Sequence, residues 1–143
     1  MKRVVTGWDE NGKAVILFEG EPTVNPDFGY ATASEIWITD SAPASTARTD
    51  DTAARQWQLE PPPGGSAFRL ATYPPGAEIP EHATETLDYI VVISGELTLL
   101  YGDREIVLSS GDTVVQQGTP HGWANRTDEP CIVAAMLLDA AKP

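Results

Sequence analysis

His82 and His121 are the only two histidines in this 143-residue chain. Histidine is the commonest metal ligand among the side chains and the usual proton carrier near neutral pH. Metal or acid–base chemistry in this chain therefore has two natural starting points. Cys131 is the single cysteine, so no disulfide forms within the chain. It sits in an apolar run, which predicts a buried, inert thiol rather than a nucleophile. The run Pro61-Pro62-Pro63-Gly64-Gly65 is turn-forming. It lacks the lysine and helix start that a phosphate cradle needs.

The elements that must position these side chains read as strands throughout. Val4 to Thr6 and Ala14 to Phe18 are short apolar runs joined by a segment containing Asn11-Gly12, a tight-turn signal, which predicts an N-terminal hairpin. Ser34 to Thr39 alternates as a half-buried strand does. Strict alternation puts Glu35, Trp37 and Thr39 on one face and Ile36 and Ile38 on the other. Residues 41 to 66 are rich in Ser, Ala, Thr and Asp and end in the proline run. They read as a long connection with a helical turn near Thr52 to Trp57. A surface excursion or interface arm is the first expectation for it, and a substrate lid the second. Further strands are expected at Phe68 to Tyr73, Tyr89 to Ile93, Leu97 to Tyr101, Arg104 to Leu108, Thr113 to Gln116 and Ile132 to Leu138. Short strands with Gly or Pro punctuation predict a sandwich or small barrel with little helix.

Composition narrows the function. The length suits one domain with an accessory arm, and a chain of this size buries roughly two thirds of its unfolded surface. Twenty-one acids against nine bases give a formal charge of −12. Such a chain repels phosphate backbones and anionic lipid, so neither nucleic acid nor a membrane surface is an expected partner. No apolar run is long enough to span a bilayer. The basic start Met1-Lys2-Arg3 is not followed by the apolar stretch of a signal peptide, so a cytoplasmic location is the default expectation.

The stretch Gly76 to Gly95 contains His82-Ala83-Thr84-Glu85-Thr86-Leu87-Asp88-Tyr89, and a second stretch contains Gly111, Gln116, Gly118, His121, Trp123 and Asn125. Together they resemble the two motifs of the cupin family. Gly76, His82 and Gly95 are in register with the first motif. Thr84 stands where that motif has a second histidine, and Asp88 where it has a glutamate. In the second motif Gln116 stands at the proline position, and the segment before it is one residue short. Residues 96 to 110 separate the motifs, as in compact members. The chain is most similar to small single-domain cupins reading His-x-Thr-x-Thr-x-Asp-Tyr and Gln-x-Gly-Thr-x-His-x-Trp.

The resemblance implies an all-β jelly-roll cupin barrel over residues 67–143. Residues 1–66 would be an N-terminal extension of hairpin, strand and long loop, a candidate dimer arm in a homodimer. It implies a divalent metal (Fe, Zn, Ni or Mn) on His82, Asp88 and His121, since two imidazoles and a carboxylate converging in a barrel leave open metal positions. The alternatives are a metal-free pocket in which both histidines donate hydrogen bonds or move protons, and purely structural histidines. Arg69 and Tyr73 share a strand face and, with Gln116, are candidates to orient substrate or, for Tyr73, move a proton. Thr84 and Trp123 are expected to line the pocket. Glu35 and Trp37 are weaker candidates, and Glu85 reads as a solvated charge. The expected activity is a lyase type, a dehydratase or decarboxylase on a small oxygenated carbonyl or carboxylate compound. A non-haem iron dioxygenase and a non-catalytic small-molecule-binding barrel are the alternatives.

Overall fold

The structure is a computed structural model describing residues 1–141. Its strands, in chain order, are β1 (Arg3–Trp8), β2 (Ala14–Gly20), β3 (Thr32–Thr39), β4 (Ser66–Tyr73), β5 (Glu78–His82), β6 (Thr86–Ser94), β7 (Glu96–Tyr101), β8 (Arg104–Ser109), β9 (Thr113–Gln117), β10 (His121–Ala124) and β11 (Cys131–Asp139). No helix occurs among the described residues, so none is long and apolar enough to cross a membrane. A hydrogen-bonded turn, Ala54 N–H to Asp51 O at 3.1 Å, stands where a helical turn was expected at Thr52 to Trp57.

The strands make a β1-β2 hairpin, a four-stranded sheet β5-β10-β7-β8 and a five-stranded sheet β3-β4-β11-β6-β9. Val92 and Val133 from the larger sheet meet Leu97, Leu99, Leu108 and Trp123 from the smaller one to form the core. This is the all-β jelly roll that the resemblance implied, and it agrees with the sandwich or small barrel expected from the strand pattern. Cys131 lies in the same core with no exposed surface, and burial pushes its thiol up. At the β6–β7 turn Gly95 has φ 78°, and a Cβ there would lie 2.6 Å from Pro130 O. Only glycine fits both demands.

Two features of the N-terminal part bear on the site. β3 pairs with β4 as an edge strand of the larger sheet. Its register also shifts between Glu35 and Trp37. An extra residue in one strand turns the following side chain to the other face. Glu35 therefore points inward and is 1% exposed, and Ile38 packs on Ala67, Ala135 and Leu137. Trp37 lies outside, opposite Phe68. The hairpin is tied to the body by Arg3, whose guanidinium bonds both Asp51 oxygens at 2.9 and 2.6 Å.

Candidate active site between the sheets

β5 and β10 are neighbours, and their register sets His82 opposite His121. A Cβ on Gly122 would lie 2.7 Å from Ile79 O, so glycine there lets the strands close up. The imidazole centroids are 4.4 Å apart, with the rings tilted by 51°. Each ring donates Nδ1–H to a backbone carbonyl, His82 to Pro80 O at 3.0 Å and His121 to Thr119 O at 2.8 Å. A neutral imidazole donating through Nδ1 keeps its Nε2 lone pair free as an acceptor. Trp123 meets His121 edge-on at 5.6 Å and is 4% exposed.

The larger sheet supplies the facing wall. Asp88 on β6 and Arg69 on β4 are buried and line, with Tyr73, Thr84 and the two histidines, a cavity of about 110 Å³. Register sets Arg69 opposite Glu35, and the two form an ion pair at 3.2 Å. Apart from this ion pair, neither Glu35 carboxyl oxygen has a hydrogen-bond partner. Arg69 Nε, Trp57 Nε1 and Asp88 Oδ1 are also buried without partners. The Thr84 hydroxyl is 2.7 Å from that of Thr86.

Burial dominates the electrostatics. It raises Asp88, against smaller opposing effects of the Thr86 hydroxyl, Arg69 and His82. It raises Glu35, which Arg69 partly restrains. It lowers Arg69, which Glu35 and Asp88 pull back up. It lowers His121, with His82 adding to the effect and the Thr119 carbonyl opposing it. Burial also raises the Tyr73 phenol, which stays protonated.

Gln116 does not line this cavity. Its amide donates to Thr119 O at 2.8 Å and to Thr119 Oγ1 at 2.6 Å. Thr119 O is also the acceptor of His121, so Gln116 braces the turn that sets the His121 tautomer. The expected three-residue metal set does not assemble either. Among the described residues no three His, Cys, Asp or Glu side chains are grouped to hold a metal ion. Asp88 sits beside Thr86 and Arg69, and the imidazoles converge as a pair. The residues present do not fit a resident three-ligand metal, and the chemistry below is derived from the side chains alone.

The long connection does more than cross the surface. Leu59 forms part of the cavity wall. Arg69 Nη1 donates to Leu59 O at 2.9 Å and Nη2 to Gln58 O at 3.3 Å. The Trp57 ring lies 5.2 Å from the guanidinium carbon. Residues 57–60 therefore form a strap over the cavity. Sequence reasoning did not single out Trp57 or Leu59, and Glu35 was only a weak candidate. A larger depression of about 590 Å³ lies between the hairpin and the outer face of β3–β4. Neither histidine nor Asp88 reaches it, so the smaller cavity is the candidate site.

Residues 69–138 match the family model described as Cupin domain. Phomopsin biosynthesis cluster protein C' of Diaporthe leptostromiformis is 46% identical over 66 residues, which are 46% of this chain and 35% of that protein. The chain thus spans well under half of that relative's length. The cupin-domain-containing oxidoreductase fogC of Aspergillus ruber is 31% identical over 95% of this chain and 70% of its own. Among solved structures, an uncharacterized Klebsiella pneumoniae protein with a double-stranded beta-helix domain superposes with a TM-score of 0.58. It is 22% identical, over 84% of this chain and 86% of that one. That likeness speaks to the fold.

Proposed function

Since this chain belongs to the cupin domain family, we propose that it is an acid–base enzyme of the lyase type, a dehydratase or decarboxylase acting on a small oxygenated carbonyl or carboxylate compound. One observation carries the reading. Asp88 holds a buried carboxyl with one unpartnered oxygen in the same cavity as two imidazoles.

The chemistry follows from opposed shifts. Asp88 is pushed up and His121 down, so the gap between acid and base narrows. Proton transfer through a substrate then costs less. In a dehydration, His121 Nε2 takes the proton from carbon and the electron pair of that bond forms the double bond. The carbon–oxygen bond breaks as Asp88 gives its proton to the departing hydroxyl, which leaves as water. Arg69 orients an oxygen anion, and the protonated Tyr73 donates a hydrogen bond. The test is a panel of small hydroxy and oxo acids and their neutral carbonyl analogues, followed by proton NMR for loss of water or carbon dioxide. Turnover should appear with at least one compound and fall by about 10²–10⁴-fold in folded Asp88→Asn and His121→Asn. Binding without turnover across the panel would leave a binding module instead.

The name of fogC, aligned over 95% of this chain, favours a second reading as an oxidoreductase. That chemistry needs an electron acceptor. Oxygen uptake in step with product formation would select it over the lyase reading. A homodimer belongs to the proposal as well. Phe68, Met136, Tyr89 and Val115 are successive cross-strand neighbours on the larger sheet. All four are exposed, and an apolar row of this kind marks an interaction surface. Sedimentation equilibrium should give twice the chain mass.

A further inference from the structure

We propose that Arg69 is the receptor for a substrate carboxylate, and that the carbonyls of Gln58 and Leu59 hold its place until substrate arrives. The proposal rests on the reading that the cavity takes a small oxygenated compound, and it narrows that class to acids. Arg69 offers one nitrogen to each carbonyl, at 2.9 and 3.3 Å. Two oxygens side by side on two guanidinium nitrogens is the pattern that a single carboxylate satisfies with its own pair. A charged acceptor bonds about twice as strongly as a neutral one, so a carboxylate displaces the carbonyls when it can reach the fork.

Space points the same way. The inner cavity of about 110 Å³ is well below the roughly 300–1,000 Å³ usual for small-molecule sites. A second pocket of about 260 Å³ is lined by Gln58, Glu60, Pro61, Pro62 and Arg69. Arg69 borders both, and the strap lies between them. Lifting Gln58 and Leu59 joins the two spaces around the guanidinium. The strap is built for that movement. Trp57 is anchored against Phe28 at 4.8 Å, and the stiff Pro61-Pro62-Pro63 run follows. Between these supports, Glu60 ties to Glu85 N–H at 2.9 Å in an exposed bond. Arg69 Nε and Trp57 Nε1, both without partners, become further donors once an oxygenated ligand sits there.

The experiment titrates the full chain with small hydroxy and oxo acids, each paired with its methyl ester. Three readouts are followed: binding heat, tryptophan fluorescence assigned through Trp57→Phe, and tryptic cleavage after Arg55. Acids should bind, change the Trp57 signal and speed release of the peptide beginning at Gln56. Esters should do none of these. The paired variant Glu35→Gln/Arg69→Met, which removes both charges together, should weaken acid binding about tenfold or more. If that variant does not fold, the acid–ester comparison on the natural chain still decides. Equal binding of acids and esters, acid binding with an unmoved strap, or no acid binding would each overturn the proposal. Acids that bind and lift the strap with no turnover would sink the lyase reading alone. Turnover of acids and esters alike would sink this inference alone.

Discussion

Replacing Arg69 by methionine tests the electrostatics of the cavity most directly. Its side chain is 6% exposed and that of Glu35, its partner, 1%. Removing one member of a buried ion pair typically costs about 3–5 kcal/mol, because the other charge stays behind unpaired. The carbonyls of Gln58 and Leu59 lose their donor as well. Domains of this kind are stable by about 5–15 kcal/mol, so the loss is large but survivable. For this chain length it corresponds to a fall in melting temperature on the order of 10 °C or more. Glu35→Gln/Arg69→Met should lose less than Arg69→Met alone, although it changes more atoms, because no bare charge remains. The pH dependence has a definite sign. Without Arg69, the Glu35 carboxyl in the folded chain rises further above its ordinary value of 4.5. The folded state then binds more protons than the unfolded one, so the stability of Arg69→Met falls as pH rises from that value through the raised one. Acid should restore part of the loss. Asp88 also loses its cation and adds a smaller trend of the same sign, which persists in the paired variant. Urea unfolding at several pH values measures all of this. Equal losses in the single and paired variants, or a single-variant deficit that does not depend on pH, would show that Glu35 is not a buried charge held by Arg69.

Four further outcomes are expected. Asp88→Asn should lower kcat by about 10²–10⁴-fold and leave melting temperature at neutral pH unchanged or higher, since it removes a carboxyl that burial disfavours as an anion. The pH profile of kcat/KM should be bell-shaped, bounded by a His121 value lowered from 6.5 and an Asp88 value raised from 3.8, and Asp88→Asn should abolish the alkaline limb. Gln116→Ala should lower kcat more than it raises KM and change the His121 Nδ1–H resonance, because Gln116 touches the turn that orients the ring. Gly95→Ala should destabilise by more than the roughly 1–2 kcal/mol of a left-handed backbone alone, since its Cβ would also meet Pro130 O, and urea midpoints will report it.

The strands that sequence reading found are those that alternate or run apolar for long enough to define a face. Val4 to Thr6, Phe68 to Tyr73 and Ile132 to Leu138 each fall inside a longer observed strand. β5 and β10 escaped. β5 carries Pro80, which argues against a strand, and β10 is only His-Gly-Trp-Ala, four residues that are all buried. Both are held by pairing with each other, which local sequence does not record. The face assignment in β3 failed for a related reason. A bulge at Ile36 breaks the period of two, and bulges leave no reliable trace in composition.

The site was legible in part, for reasons that differ residue by residue. The histidines stood out because there are two of them, and the motif spacing brought them to adjacent strands. Arg69 and Tyr73 followed from sharing a strand face. The strap could not be read, because what binds Arg69 there is the backbone of Gln58 and Leu59, and every residue has a carbonyl. Glu35 and Asp88 pose the sharper difficulty. This chain has 21 acidic residues, and a carboxyl meant for water looks the same in sequence as one meant for chemistry. What separates these two is that the folded sheets withdraw them from solvent beside one guanidinium. Their reactivity therefore resides in the register of β3, β4 and β6, and a substitution that slips that register should silence the site without touching any residue that lines it.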